Sequence, residues 1–178
     1  MLFRPLDIPD VFLIELERAE DERGFFSRLF CADAFRERGL CADYPQWSVS
    51  FNRCRGTLRG LHFQAFPYEE IKLVSCTRGA VFDVAVDVRP GSRSRGKWVG
   101  AELSAENGSA LYIPAGFAHG FQTLTDDTEV RYHISARYRP EAARGVRWDD
   151  PDLAIAWPRS EQRVISGRDR ALPGLRDL

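Results

Sequence analysis

The sequence has no run of about 18 apolar residues, so no stretch of it reads as a membrane-spanning helix and no membrane partner is expected. It also lacks an excess of either charge: 25 basic residues face 26 acidic ones, for a net charge of −1. Nothing global therefore points to nucleic acid or an anionic surface, and any anion site must come from locally gathered arginines. The four cysteines, Cys31, Cys41, Cys54 and Cys76, contain no Cys-x-x-Cys pair, which argues against a zinc site. Free thiols in a reducing cytoplasm are the expected state. The first residues, Met1 to Asp7, meet a proline and an acid too early for a signal peptide, so none is expected. Helical periodicity is nearly missing. One short helix is predicted from Ala34 to Arg38, with Asp33 as its cap and Gly39 as its stop. Without crossover helices, a parallel α/β architecture is excluded.

What remains is strand. A chain of 178 residues with 44% hydrophobic and 29% charged residues is long enough for one domain, 1–178, with a real core. Val11 to Leu16 and Phe25 to Phe30 read as strands around an acidic stretch and an Arg23-Gly24 turn. Gln46 to Asn52 is extended. Ile71 to Thr77 and Ala80 to Val88 are rich in β-branched residues, and Arg78-Gly79 between them predicts a compact hairpin. Lys97 to Leu103, Ala110 to Ile113, His119 to Leu124 and Thr128 to Ser135 follow, separated by short turns. Many short strands at this spacing indicate an all-β, closed or double-sheet fold.

The stretch Arg55-Gly56-Thr57-Leu58-Arg59-Gly60-Leu61-His62-Phe63-Gln64 gathers two arginines, two glycines and one of only three histidines. Alone it fits either an edge strand with solvated arginines or a site strand. By strict alternation Arg59 and His62 fall on opposite faces, so a bulge or twist at Gly60 is required if both meet one ligand. Pro114-Ala115-Gly116-Phe117-Ala118-His119 matches half of the metal motif of a cupin-type jelly roll, a double-sheet fold with short peripheral helices. The other half, His-x-His, is absent, so no metal is expected. Without metal, His62 is suited to general-base work at its unperturbed pKa of about 6.5. It then needs a carboxylate on its other ring nitrogen, and Asp83, Asp87 and Asp169 are all candidates. For His119 and His133 a structural role is the default reading. Lys72 alternates with Val74 and Cys76, so it is either solvated or aimed into a cavity. Tyr132 is either an amphipathic core residue or a general acid.

In this order the residues resemble the dTDP-4-dehydrorhamnose 3,5-epimerase family, cofactor-free cupins acting on nucleotide-linked 4-keto-6-deoxy sugars. The resemblance runs from about Asp21 to Pro173. Its blocks are Asp21 to Phe26, Arg55 to Gln64, Lys72 to Val74, Gly79 to Arg89, Leu111 to Phe121, Gly145 to Pro151 and Ser166 to Asp169. It implies His62 as the base, Asp169 as its partner, Lys72 as the cation for the enolate oxygen and Tyr132 as the acid on the opposite face. It further implies that Arg23 and Arg59 hold the diphosphate and nucleotide, Phe26 and Tyr138 contribute aromatic contacts, and Gln46 and His119 polar ones. The resemblance implies a homodimer too, whose arm of about residues 1–45 carries Arg23 and Phe26 into the neighbour's site.

Three positions depart from the family's pattern: Arg28 for an acid, Ser48 for asparagine and His133 for lysine. The first two bear on which nucleotide and sugar are taken. Inversion at C3 only or C5 only, a CDP- or GDP-linked substrate, and a non-catalytic cupin that binds sugar nucleotides are the alternatives. The last predicts an incomplete acid/base set, whereas His62, Asp169, Lys72 and Tyr132 are all present.

Overall fold

The computed structural model describes residues 1–178. In chain order the strands are β1 (Leu2–Pro5), β2 (Phe12–Glu15), β3 (Ala19–Asp21), β4 (Gly24–Phe26), β5 (Gln46–Asn52), β6 (Leu58–Gln64) and β7 (Lys72–Arg78). They continue with β8 (Ala80–Asp87), β9 (Trp98–Ser104), β10 (Ala110–Ile113), β11 (Phe117–Thr123), β12 (Thr128–Ile134) and β13 (Ala143–Gly145). Two short helices, α1 (Ala32–Arg36) and α2 (Gly167–Arg170), lie at the periphery. A six-stranded sheet, β1-β2-β10-β7-β12-β5, faces a five-stranded sheet, β13-β6-β11-β8-β9, and β3-β4 forms a separate hairpin. This is a double-sheet jelly roll, one of the two all-β forms that the strand spacing allowed and the one that the cupin-like motif at Pro114 to His119 pointed to.

The compact turn at Arg78-Gly79 is not a hairpin. β7 belongs to the six-stranded sheet and β8 to the five-stranded one, so the turn hands the chain across the sandwich. The same crossing occurs between β5 and β6, β6 and β7, β9 and β10, β10 and β11, and β11 and β12. Only β8 and β9 are consecutive long strands that pair with each other. These crossings put residues close in sequence on opposite walls of one interior.

That interior is filled at one end by Val74, Val81, Ala85, Leu103, Leu111, Phe121 and Val130, all buried. The outer face of the five-stranded sheet is buried as well, because Val146, Leu153 and Leu175 of the tail pack onto Leu61, Val84, Val86 and Ala118. Burial on both faces explains why β8 reads as a nearly continuous apolar run rather than an alternating one. Phe35 of α1 covers Ile14, Leu73 and Tyr112 on the other sheet.

Two local expectations are corrected. β4 ends at Phe26 instead of Phe30, and residues 27–30 leave the hairpin. The helix starts earlier than predicted, with Cys31 at its N-cap position and no side-chain cap, so Asp33 sits inside the first turn. It also ends earlier, at Arg36 instead of Arg38, while Gly39 closes the following turn as expected. Gly39 adopts φ +69°, and Leu40 N–H donates to the carbonyl of Phe35 at 3.0 Å.

β6 carries the irregularity that alternation demanded. His62 pairs with His119 and Arg59 with Phe121, so three steps on β6 match two on β11. Gly60 is at φ +124°. Two peptide bonds are cis, Gly60–Leu61 and Phe66–Pro67.

Candidate active site

The open end of the sandwich holds a cavity of about 710 Å³. The five-stranded sheet supplies Arg59 and His62 from β6 and His119 from β11. The six-stranded sheet supplies Gln46, Ser48 and Ser50 from β5, Lys72 from β7 and Tyr132 from β12. The extra residue at the β6 bulge is what lets Arg59 and His62 share this cavity while Leu61 packs into the core on the far side.

Residues 164–169 close the rim and bring Asp169 to His62, with Oδ1 2.8 Å from Nε2. The other carboxylate oxygen accepts the Gly60 N–H at 3.2 Å. Ser166 caps α2 by accepting the Asp169 N–H at 3.0 Å, which fixes the backbone that carries this carboxylate. Burial opposes ionisation of Asp169, but the His62 contact and the Gly60 and Ser166 bonds outweigh it and hold its pKa below the ordinary value. An ionised Asp169 accepts a hydrogen bond from Nε2–H, the tautomer that leaves Nδ1 with its lone pair. The imidazole side chain remains 40% exposed, so a ligand in the cavity can reach it. Of the three aspartates that composition offered, only Asp169 lies here. Asp83 is fully buried and sets both oxygens 3.0 Å from His119 Nε2. Asp87 accepts from Arg89, Ser92 and Ser94, and although burial opposes it these bonds hold its pKa down to about 2.

Tyr132 lies on the opposite wall. Its hydroxyl is 3.3 Å from Ser50 Oγ, and its ring centre is 5.9 Å from that of His119. Burial, only partly offset by the Ser50 bond, raises the pKa of the phenol, so it keeps its proton at neutral pH. Lys72 faces inward and lines the cavity, the second of the two placements its alternation left open. Its ammonium pairs with Glu70 at 2.9 Å and donates to the His62 carbonyl at 3.2 Å. Arg59 is anchored through Nε to Asn52 Oδ1 at 2.7 Å, which leaves most of its fork for an anion.

Tyr138 is 55% exposed at the mouth, and its N–H donates to Gln46 Oε1 at 2.6 Å. Gln46 thus holds the segment that presents Tyr138, and its amide nitrogen is the part left for a ligand. Arg23 and Phe26 are not brought to this cavity. They sit on the β3-β4 hairpin, where Arg23 pairs with Asp21 and Phe26 is 75% exposed. Of the three departures, Ser48 lines the cavity, while Arg28 and His133 do not. His133 stacks edge-on against Trp47 at 4.3 Å between ring centres.

Sequence reasoning missed Ser50, Glu70 and Arg168, all of which line the cavity. Ser50 was legible in principle, because Gln46, Ser48 and Ser50 alternate along β5. Arg168 stood beside Asp169 in a block already singled out, and it adds a second guanidinium to the wall. No group of three or more His, Cys, Asp or Glu side chains gathers as a metal-binding set.

Residues 5–177 match the sequence profile of the family described as dTDP-4-dehydrorhamnose 3,5-epimerase. The protein of that name from Sinorhizobium fredii is 49% identical over 178 residues, covering 100% of this chain and 91% of that protein. A dTDP-6-deoxy-D-glucose-3,5-epimerase from Legionella pneumophila, solved with dTDP-4-keto-L-rhamnose, superposes with a TM-score of 0.92 at 40% identity, over 98% of this chain and 93% of that one. A 3′-monoepimerase from Streptomyces bikiniensis, solved with dTDP-quinovose, gives 0.89 at 37% identity, over 97% of this chain and 87% of the other. By sequence along almost its whole length, and by the shape of its sandwich, the chain belongs to the dTDP-4-dehydrorhamnose 3,5-epimerase family.

Proposed function

We propose that this chain is an isomerase that inverts C3 and C5 of dTDP-4-dehydro-6-deoxyglucose to give dTDP-4-dehydrorhamnose. The observation that carries the reading is the His62–Asp169 pair on one wall of a cavity whose opposite wall presents Tyr132 and Lys72. His62 Nδ1 takes the proton from the carbon next to the C4 ketone, and the bonding pair moves onto the carbonyl oxygen. Asp169 steadies the imidazolium that results. Lys72 stands against the charge developing on the oxygen, where a preorganised donor is worth about 2.7–4 kcal/mol by analogy with oxyanion holes. The phenol of Tyr132 then delivers a proton to the other face of the same carbon, which inverts it. Arg59 and Arg168 take the diphosphate, Tyr138 stacks on the nucleotide, and Gln46 and His119 give polar contacts to the substrate.

The reading extends to assembly and place. The whole chain, 1–178, works as one domain and as a homodimer in the cytoplasm, with no membrane or nucleic acid as partner. Four unpaired thiols accord with a reducing compartment, and no helix is long and apolar enough to cross a membrane. Phe25, Phe26 and Leu29 of the arm and Trp47, Val49 and Phe51 of edge strand β5 are large apolar residues at least 46% exposed, a stripe that accords with a second copy. Arg23 and Phe26 then reach the neighbour's cavity. Sedimentation should give twice the chain mass of 20.3 kDa, and a monomer mass at assay concentration would reject the shared site.

A second reading, inversion at one carbon only, is favoured by the likeness to the Streptomyces bikiniensis monoepimerase. NMR in deuterium oxide separates the two. Exchange at both C3 and C5 of the dTDP sugar supports the first, exchange at C3 or C5 alone the second. Preference for the CDP or GDP sugar would overturn the nucleotide assignment, which Ser48 and Arg28 make worth testing.

Within that assay, Tyr132→Phe should slow inversion by about 10²-fold or more, the size of a lost general acid, while exchange next to the ketone falls far less. Equal loss of both would remove Tyr132 from the role of opposite-face acid.

A further inference from the structure

We propose that Glu70 is a positioning residue for the reaction, acting through Lys72; this rests on the reading of Lys72 as the cation for the enolate oxygen. Glu70 stands two residues before Lys72 on the approach to β7, so an extended backbone turns both side chains to the same side. Both line the cavity. Their charged groups are 2.9 Å apart with side-chain exposures of 9% for Lys72 and 11% for Glu70, which makes this a largely desolvated ion pair instead of a surface one.

The geometry of the ammonium gives the pair its purpose. A lysine carries three N–H donors on a flexible stem. One is donated to the carbonyl of His62 at 3.2 Å, and the Glu70 carboxylate holds the ammonium as an ion pair from 2.9 Å. The remaining donors are free for a ligand, and one hydrogen bond together with one ion pair determines where the ammonium stands. The hydrogen bond ends on the backbone of the base itself, so it ties the cation to the strand that carries the imidazole, while the ion pair with Glu70 holds it as well. Without Glu70, only the bond to the His62 carbonyl restrains the stem.

Glu70 also tempers the cation, since a neighbouring carboxylate reduces the field available to a developing oxyanion. Positioning and charge therefore pull in opposite directions, and substitutions separate them. Glu70→Gln keeps an acceptor oxygen and removes the charge. Glu70→Ala removes both.

The experiment is solvent deuterium exchange on the full-length protein with the dTDP 4-keto sugar, reading kcat and KM separately for Glu70→Ala, Glu70→Gln, Lys72→Met and the double variant Glu70→Ala/Lys72→Met. Glu70→Ala should lower the exchange kcat by about 10- to 100-fold, the scale of a misplacement of about 1 Å, with KM nearly unchanged. Glu70→Gln should restore most of it. In the Lys72→Met background, Glu70→Ala should have no further effect, because it acts only through the ammonium. Glu69→Ala, one residue away and outside the cavity, should match the unaltered protein. Wild-type kcat in Glu70→Ala, equal damage in Glu70→Gln, or multiplying effects in the double variant would each overturn the proposal. If Lys72→Met itself exchanges normally, the enolate assignment fails and the Glu70 proposal falls with it. If Lys72→Met is impaired and Glu70→Ala is not, the Glu70 proposal alone fails.

Discussion

Replacing His62 with alanine should stop deuterium uptake from solvent at the carbons next to the ketone, a fall on the order of 10²–10⁴-fold. The size follows from the absence of a substitute base in the cavity. His119 has its Nε2 held by both oxygens of a fully buried Asp83 and is itself only 5% exposed. Tyr132 keeps its proton because burial raises its pKa. Glu70 is bound to Lys72. Only His62 joins an ionised partner to an open approach. Affinity for the nucleotide sugar should change little, since Arg59, Arg168 and Tyr138 remain in place at the other end of the cavity. Persistent exchange in His62→Ala would assign the base elsewhere. Asp169→Asn is the milder companion: it leaves the ring in place but no longer favours the proton on Nε2.

The strands were legible because their physics is local. β-branched runs such as Val81 to Val88, bounded by Gly79 and by Arg89-Pro90, have few other ways to fold. Which sheet each strand joins was not legible at Arg78-Gly79. A compact turn looks the same in sequence whether it pairs its flanking strands or passes the chain across a sandwich, and here only packing decides. Period-two alternation put Lys72 on one face with Val74 and Cys76 but left open whether that face met solvent or a cavity, which only packing decides. The carboxylate for His62 did not follow from the residues, because Asp169 stands 107 positions away and three aspartates offered the same chemistry. The family resemblance selected Asp169, and the geometry gives the others different work: Asp83 faces His119, and Asp87 locks a loop through Arg89, Ser92 and Ser94. Arg23 and Phe26 were placed at the substrate by the resemblance alone, and their hairpin lies outside the cavity of this chain.

Gly60→Ala should be the most damaging small substitution outside the acid/base set. Alternation required an irregularity between Arg59 and His62, and β6 supplies it by fitting three steps against two on β11. The turn of the chain there depends on φ +124°, a region that L side chains rarely adopt. Space is equally short: a Cβ would lie 2.6 Å from Gly120 Cα and 2.9 Å from the His119 carbonyl oxygen. Both are backbone atoms of a buried neighbouring strand, so no side chain can rotate away. Strain and overpacking together make a loss of about 3 kcal/mol the expected result, which lowers the melting temperature by about 6–12 °C in a chain of this size. Activity should fall further than stability. The Gly60 N–H donates to Asp169 Oδ2, so any displacement shifts the carboxylate as well as the imidazole two residues on. Loss of the dyad's alignment by about 1 Å costs about 10²-fold in rate. Gly167→Ala is the control, since a Cβ there meets nothing within 4 Å, and it should leave both melting temperature and rate unaltered. Normal melting and normal exchange in Gly60→Ala would show that β6 tolerates a side chain at its bulge. The placing of Arg59 and His62 on one wall would then need another cause.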